Sequence, residues 1–505
     1  MMVRMLLLLL LNVFVNGFTK AQNALESTLA LAPVFSDHMV LQRNKPIRIY
    51  GKASSGGNVH VQFLNRALTT KADRSGNWNV VFPASQEGGP YSISVSAKDR
   101  KININDVLIG DVWLCSGQSN MEFALRDAET GPEELQADQF DPNMRLLKMG
   151  GIVSTGDVAW DSASLARVNR YEFFAGSWKP LNKVSAASFS AVAYYFGKKI
   201  KPEAHVPIGL IQIAVGGSPT ESWIEHSLLE QSQQFAGMLG DWQHSTLVME
   251  WCRERAAKNS MNAHSADQKH PYQPGYNFQA GIAPLTDFAI AGVIWYQGES
   301  NVFNVPLHAQ LFEMLVKNWR ENWGYPFPFY FVQLSGINRP NWPEFRDSQR
   351  LMLAKIPNSG MAVSYDFGDS LNVHPTRKKE VGERLALLAL RDIYQMNVIA
   401  EGPIPEKALL KDSEIRIQFS NGKGDLSKQN SLLTNNNAPL TGFELLTENG
   451  HRLFANAKIS GNEVVISVPA GERIKAVLYA YQPFTRANLY NEAGLPASTF
   501  SIAVK

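Results

Sequence analysis

Residues 107–122 read VLIGDVWLCSGQSNME, an apolar run that ends in small and polar residues. A continuous apolar run of this length is typical of a strand that is buried on both faces of a parallel sheet. Similar runs recur further along the chain, at Ile208–Val215, Ala291–Tyr296 and Phe327–Leu334. Helical patterns lie between them, at Ala191–Ile200, Leu307–Trp323 and Lys379–Tyr394. This alternation predicts an α/β domain over residues 107–398, with a parallel sheet covered by helices on both faces.

The two flanks of this region have a different period. Apolar and polar residues alternate at Val59, Val61 and Phe63, and again near the other end at Val464 and Ile466. Alternation with a period of two, interrupted by regular turns, is typical of antiparallel sandwiches. We therefore predict β-sandwich-like domains over residues 22–106 and 399–505. We predict that the polar segment 228–275 leaves the central sheet and forms one wall of the functional site.

The N-terminus has the pattern of an export signal. Arg4 precedes an apolar run from Met5 to Val15, and Thr19-Lys20-Ala21 puts small residues at the positions that a signal peptidase recognises. The run is shorter than the roughly 20 residues that a membrane-spanning helix needs. The sequence predicts a signal peptide over residues 1–21, with Gly17 as an alternative cleavage point. We expect a periplasmic or extracellular protein with no membrane contact after cleavage.

Composition excludes several classes of protein. The 505 residues are 45% hydrophobic and 19% charged, with a net charge of +2 and both signs interspersed. This composition is typical of a globular chain and carries no basic stripe for nucleic acid. The only cysteines, Cys115 and Cys252, cannot form a disulfide framework or a Cys-rich zinc site. The histidines lack zinc spacing, so we predict no metal and no cofactor; the sequence does not indicate an oligomeric state.

Chemistry-bearing residues follow the predicted strands. Ser119 follows the first run, Gly216 and Gly217 follow the second, a polar cluster at 297–301 follows the third, and His374 precedes the last helix. Each alone has an ordinary structural explanation, such as a helix cap or a tight turn. Together, at one edge of a parallel sheet, a hydroxyl, backbone N–H groups, an amide and an imidazole suit acyl transfer to water.

The same residues resemble a known family. GQSNM at 117–121, WYQGESN at 295–301 and VHP at 373–375 resemble the motif blocks of the sialate O-acetylesterase family, in the Ser-Gly-Asn-His (SGNH) hydrolase superfamily. The stretches FSDHMVLQR at 35–43 and NLYNEAGLPA at 488–497 resemble its N-terminal and C-terminal signatures. The resemblance implies a flavodoxin-like core with three layers (αβα) and a carboxylic ester hydrolase that removes acetyl groups from carbohydrates.

The resemblance also implies roles for individual residues. Ser119 would be the nucleophile and His374 its base. The oxyanion hole would use the N–H groups of Ser119 and of Gly216 or Gly217, with a side-chain amide. Two amides are candidates for that position, Gln297 and Asn301.

The group that orients His374 stays open. The superfamily often has an Asp three residues before the His, and here that position is Leu371. Asp369 ranks first among the alternatives, then Glu299, whose counterpart is thought to act this way in related acetylxylan esterases, then Asp366. A backbone carbonyl would leave a Ser–His dyad.

The expected substrate is an O-acetylated sialic acid, with acetylated xylan or pectin as the alternative. A non-catalytic carbohydrate-binding protein is the rival from another class, against which the intact Ser119 and His374 argue. Substrate contacts are predicted at Gln118, Trp223, Gln279, Trp295 and Tyr296, although Trp295 and Tyr296 also suit a core. The family usually has an aromatic-Asn-Gly where this chain has Asn277-Phe278-Gln279-Ala280, so we expect Gln279 to change the pocket's substrate contacts. A sialate carboxylate needs a cation, for which Arg384 and Arg126 are candidates.

Overall fold

In a computed structural model of the protein, the structure describes residues 29–98, 100–136, 140–265, 267–420, 432–434 and 438–505. The predicted signal peptide lies outside these residues. Within them, no helix is both long and apolar enough to cross a bilayer.

The N-terminal flank is built of short antiparallel strands. Strands β1 to β8 are Ala30–Leu31, Val40–Gln42, Ile47–Lys52, Asn58–Phe63, Arg66–Lys71, Asn77–Phe82, Gly88–Ala97 and Arg100–Gly117. The period of two is confirmed: β4 and β6 both alternate exposed and buried residues along their length. β1, β3 and β6 form one antiparallel sheet, and β4 pairs with β5 and β7 in another. Phe63 of β4 packs against Phe82 of β6, with ring centroids 5.6 Å apart, so the buried sides of these two sheets face each other.

Strand β8 joins this flank to the central sheet. Its first residues pair with β7, and its burial becomes continuous from Val107 onward. The predicted domain boundary at 106/107 falls inside this strand, at the change from alternating to continuous burial.

The central sheet carries the runs predicted from the sequence. Strands β9 to β16 are Met144–Lys148, Gly150–Gly151, Phe174–Ala175, Trp178–Pro180, Ile208–Ala214, Gly292–Tyr296, Phe329–Val332 and Ser359–Ala362. The strand order is β12-β9-β13-β8-β14-β15-β16. Along this order, β9, β13, β8, β14, β15 and β16 each pair in parallel with the next strand, and β12 pairs antiparallel with β9 at the edge. The carboxyl ends of β8, β13 and β14 therefore share one edge.

Helices alternate with these strands. Helices α1 to α10 are Ser119–Glu122, Gly131–Glu134, Ser162–Asn169, Lys183–Ala187, Ala191–Ala204, His226–Glu230, Glu250–Asn259, Val305–Trp323, Trp342–Lys355 and Lys379–Asp392. Short 3₁₀ turns cover Leu125–Asp127, Thr220–Trp223, Ala236–Met238, Ala283–Leu285, Glu299–Asn301 and Tyr365–Phe367, and a π turn covers Phe278–Ile282. The three predicted helices correspond to α5, α8 and α10.

Alternate residues of β8 enter two separate hydrophobic clusters. Val112 and Leu114 pack in a cluster that includes α8, whereas Trp113 and Cys115 pack in one that includes α5 and α10. The predicted mixed α/β fold is confirmed. Cys115 and Cys252 are both buried free thiols.

The C-terminal flank returns to antiparallel pairing. Strands β17 to β26 are Ile404–Lys411, Glu414–Ser420, Leu432–Thr434, Phe443–Thr447, Arg452–Phe454, Ala457–Ser460, Glu463–Ser467, Ile474–Tyr479, Leu489–Asn491 and Phe500–Ala503. Two four-stranded sheets have the orders β17-β18-β23-β22 and β21-β20-β24-β26, and β19 pairs with β25. Arg346 of α9 is buried and donates to the carbonyls of Ala480 and Gln482, which ties this flank to the central region.

Candidate active site

Ser119 lies where β8 ends and α1 begins. Gly117, two residues before it, has φ of +139°, and a Cβ there would lie 2.2 Å from the carbonyl oxygen of Tyr296. Only glycine fits this tight turn. The turn presents the Ser119 hydroxyl to a cavity of about 510 Å³ and leaves its backbone N–H at the first position of a helix.

His374 faces Ser119 from the loop before α10. Its Nε2 lies 2.8 Å from Ser119 Oγ, although the two residues are 255 positions apart. Burial lowers the pKa of His374, and the positive charges of Lys378 and Arg339 lower it further. The imidazole is therefore neutral at neutral pH, the state in which Nε2 can accept a proton from the serine.

None of the predicted acids hydrogen-bonds to the imidazole. Asp369 accepts hydrogen bonds from the backbone N–H groups of Leu371 and Asn372, at 2.8 and 2.9 Å, and these bonds lower its pKa. Asp366 forms an ion pair with Arg384 at 2.7 Å. The first-ranked prediction, that Asp369 orients His374, is not supported by this arrangement, because its carboxylate instead stabilises its own turn.

Glu299 is close to the site but contacts another residue. Its Oε1 accepts a hydrogen bond from Asn120 Nδ2 at 2.5 Å, and its buried Oε2 has no partner among the described residues. Burial raises the pKa of this carboxyl, while Asn120 and the charge of Lys378 act against the rise. The carboxylate is therefore linked to the loop of His374 through Asn120 and makes no hydrogen bond to the imidazole.

Asn120 connects three segments of the site. Besides Glu299, its Nδ2 donates to the carbonyl of Val373 at 3.0 Å, and its Oδ1 accepts from the ammonium of Lys378. Lys378 is buried and lies over the rings of Phe123 and Tyr296. Burial lowers its pKa to about 7, against the pull of Glu299.

The two predicted glycines differ in what their N–H groups do. The N–H of Gly216 donates to Oε2 of Glu122 at 2.8 Å, so it is already engaged. The N–H groups of Ser119 and Gly217 have no acceptor among the described residues. Of the predicted backbone donors, Ser119 and Gly217 are therefore the two that stay free for a ligand.

The two predicted amides lie beneath the cavity and do not line it. Gln297 Nε2 donates to Asn301 Oδ1 at 2.7 Å, and Asn301 Nδ2 donates to Glu221 at 2.9 Å. Gln118 instead lines the cavity, with its Oε1 accepting from the N–H of Gly298 at 3.3 Å and its amino group without a partner among the described residues. The side-chain amide that reaches the cavity is thus that of Gln118, which the sequence predicts as a substrate contact.

Most of the other predicted substrate contacts lie elsewhere. Trp223, Trp295 and Tyr296 are buried to within 1% and pack in the core, the alternative foreseen for the last two. Gln279 is exposed and outside the cavity lining. Arg384 is bound to Asp366 and to the carbonyl of Val363, which removes it as a free cation.

Arg126, the second candidate cation, does not reach the cavity, whereas the predicted wall does. Arg126 is exposed beside Asp127 and does not line the cavity. The segment 228–275 does supply a wall, through Met249, Trp251, Arg255 and Tyr272.

Sequence reasoning misses four charged residues around the cavity. Glu122 stands one helical turn after Ser119, and this spacing is the signal that could have found it, whereas Lys378 follows His374 through a loop that gives no such signal. Arg255 and Arg339 carry no local signal. Among the described residues, no group of three or more His, Cys, Asp or Glu side chains is placed to hold a metal ion.

Comparisons with known proteins point to the same chemistry. Residues 260–391 match the family model described as carbohydrate esterase, sialic acid-specific acetylesterase. The chain is 27% identical to the sialate O-acetylesterase of Mus musculus, over 78% of this chain and 80% of that protein. It is 28% identical to the human sialate O-acetylesterase, over 74% and 73% respectively. A crystal structure of a carbohydrate acetylesterase from Xanthomonas citri superposes with a TM-score of 0.75 and 29% identity, over 94% of this chain and 99% of that one.

These matches, with the site geometry, define the class of the protein: it is an esterase. More particularly, it is a sialate O-acetylesterase-like carboxylic ester hydrolase, and the resemblance drawn from the motif blocks is confirmed.

Proposed function

We propose that the protein removes acetyl groups from the hydroxyls of sialic acids through an acyl-enzyme formed on Ser119. One observation carries the mechanism: Ser119 Oγ and His374 Nε2 lie 2.8 Å apart at an open cavity. A hydroxyl and a neutral imidazole in this relation form a nucleophile and its general base. The names of the mouse and human relatives support sialate as the sugar.

The first half of the reaction forms the acyl-enzyme. Nε2 of His374 takes the Ser119 proton as Oγ bonds to the acetyl carbon, and the carbonyl oxygen becomes an oxyanion. The N–H groups of Ser119 and Gly217 and the amino group of Gln118 are the donors for that charge. Loss of one such donor typically costs about 10²–10³ in rate. Protonated His374 then gives its proton to the sugar oxygen, and the bond from that oxygen to the acetyl carbon breaks.

The second half repeats these steps with water. His374 removes a proton from a water molecule, whose oxygen bonds to the acetyl carbon. The tetrahedral intermediate collapses, Ser119 Oγ regains a proton from His374, and acetate leaves. Because no acid hydrogen-bonds to the imidazole among the described residues, we infer a Ser–His dyad. Asn120 holds the loop that carries His374 through its bond to the carbonyl of Val373.

We further infer a three-layer αβα core of the SGNH type over residues 107–398, flanked by sandwich-like domains at 22–106 and 399–505. The two hydrophobic clusters of β8 support this arrangement. We also propose that the protein is exported to the periplasm or the extracellular space, with cleavage of residues 1–21.

A direct test measures acetate release from 9-O-acetyl-N-acetylneuraminic acid and from acetylated xylan. We expect Ser119→Ala to abolish release with an unchanged thermal midpoint, and Ser227→Ala, an exposed residue of α6, to behave as the unmodified protein. Retained turnover by Ser119→Ala would refute the mechanism. Release from xylan alone would move the proposal to polysaccharide esterases. Failure of a serine-reactive phosphonate to label Ser119 would favour a non-catalytic binding protein.

A further inference from the structure

We propose that Trp251, Arg255 and Arg339 form a subsite at the cavity mouth for an acidic sugar, with Trp251 as a platform for the ring and the two arginines as partners for its carboxylate. The inference rests on the proposed function, since the sugar bound there carries the ester that Ser119 attacks. It replaces Arg384 and Arg126, which the sequence suggests as cations and which the structure places elsewhere.

Trp251 is an exposed aromatic side chain fixed in place. It lines the cavity, and its side chain remains 40% exposed. Its ring stacks on Tyr272, with centroids 5.9 Å apart and planes at 28°. It also covers Gly217, where an added Cβ would lie 2.4 Å from the indole. A rigid, flat apolar face beside an oxyanion donor suits the apolar face of a sugar ring.

Arg255 stands one helical turn after Trp251 on α7. Its guanidinium lies 5.4 Å from the centre of the Trp251 ring. Its nearest acid is Asp157, at 4.0 Å, but the same carboxylate oxygen is 2.8 Å from the ammonium of Lys258. Asp157 is therefore already paired, and the charge of Arg255 is only weakly compensated.

Arg339 approaches the cavity from the loop between β15 and α9. It is exposed, it lines the cavity, and its guanidinium has no ion pair or hydrogen bond among the described residues. Its charge is felt at the reacting groups, because it contributes to the lowered pKa of His374. A free guanidinium at this position can bind a carboxylate in a bidentate manner.

The acids of the cavity are held by groups other than these arginines, although the charge of Arg339 also acts on the carboxyl of Glu299. Glu122 is bound by the N–H of Gly216 and Glu299 by Asn120, and neither forms an ion pair with an arginine. With a net charge of +2, the whole chain gives little general attraction for anions. Preference for an acidic substrate must therefore come from these two placed arginines.

The experiment compares acetate release from 9-O-acetyl-N-acetylneuraminic acid and from its C1 methyl ester, which differ by one negative charge. We expect the unmodified protein to prefer the free acid. At a pH above the acidic limb, where the effect of Arg339 on His374 does not alter the rate, Arg255→Gln and Arg339→Gln should each raise KM for the acid by about 3- to 10-fold and change KM for the methyl ester far less. The preference should also shrink as salt rises from about 50 to about 500 mM, because salt screens exposed charges.

Two further variants serve as controls. Trp251→Ala should raise KM for both sugars by a similar factor and leave the ratio between them unchanged, since the platform contacts the ring that both share and not the carboxylate. Arg473→Gln, an exposed arginine of the C-terminal flank, removes the same charge far along the chain and should change nothing.

Failure of the subsite and failure of the proposed function are distinguishable. Equal kcat/KM for the acid and the methyl ester in the unmodified protein, or equal losses on both in the arginine variants, would overturn the subsite while Ser119-dependent hydrolysis persists. If acetate release does not depend on Ser119, the proposed function fails first.

Discussion

Asn120 donates a hydrogen bond of 3.0 Å to the carbonyl of Val373. These two residues are the chain neighbours of Ser119 and His374, so a single bond joins the helix that holds the hydroxyl to the loop that holds the imidazole. The same amide is held by Glu299 and Lys378. The relative position of the two reacting groups therefore depends on a buried polar network and not on an acid bound to the imidazole.

We predict that Asn120→Ala lowers kcat by about 10- to 100-fold with little change in KM, because misplacement of reacting groups by about an ångström is costly. Asn120 makes its bonds beneath the cavity and does not line it, so substrate affinity should survive. Steady-state kinetics with 4-nitrophenyl acetate would measure the effect. Asn322→Ala, in α8, is the matched control. An unchanged kcat for Asn120→Ala would show that the network does not position the pair.

A second prediction concerns Lys378. Its positive charge helps to lower the pKa of His374, so its removal in Lys378→Met should raise that pKa. The acidic limb of the pH profile of kcat/KM should then shift to higher pH, because the imidazole must be neutral to accept the serine proton.

The neighbouring Lys379, the first residue of α10, provides the control for Lys378. Lys379→Met should leave the limb in place, since Lys379 has no part in the shift at His374. A lower rate with an unshifted limb in Lys378→Met would indicate a purely structural role. Thermal unfolding of both variants would separate that case from loss of the fold.

Much of the site can be predicted because it follows from the sheet. Apolar runs identify β8, β13 and β14, and parallel strands bring their carboxyl ends to one edge, so Ser119, Gly217 and Glu299 can be placed near one another before any coordinates are known. The polar segment 228–275 can be predicted as a wall because it leaves the sheet between β13 and β14, whose carboxyl ends carry residues of the site.

The pairing of charges cannot be predicted in this way. Lys378 stands in the run Arg377-Lys378-Lys379, which has the appearance of a solvated surface, and only tertiary packing buries it against Asn120. The bond between Glu122 and Gly216 joins residues 94 positions apart and depends on side-chain conformation. Trp295 and Tyr296 are a related case. Their place at a strand end suits either a pocket or a core, and only their burial in the structure shows that they belong to the core.

Asp369 gives a third prediction. If it oriented His374 as the acid of a triad does, Asp369→Asn would cost about 10⁴ in kcat. In the structure its carboxylate accepts only backbone N–H groups at an exposed turn, and the Oδ1 of asparagine can accept the same bonds. We therefore expect a kcat within about 3-fold of the unmodified protein. A loss of several orders of magnitude would restore Asp369 as the orienting acid.

The last prediction concerns stability and Glu221. This carboxyl is buried beneath the site, bound to Asn301 by one oxygen, with the other oxygen unpartnered among the described residues. Burial raises its pKa from 4.5 to about 7, so the folded protein holds this proton more tightly than the unfolded chain does. The stabilisation is therefore complete below about pH 4.5 and is lost as pH rises through about 7, with an upper limit of about 3 kcal/mol. Glu221→Gln keeps the neutral form at every pH and should flatten the fall in thermal midpoint between pH 5 and pH 7.5, whereas Glu230→Gln, on the exposed end of α6, should not. An equal fall in Glu221→Gln and in the unmodified protein would assign the pH dependence to other groups.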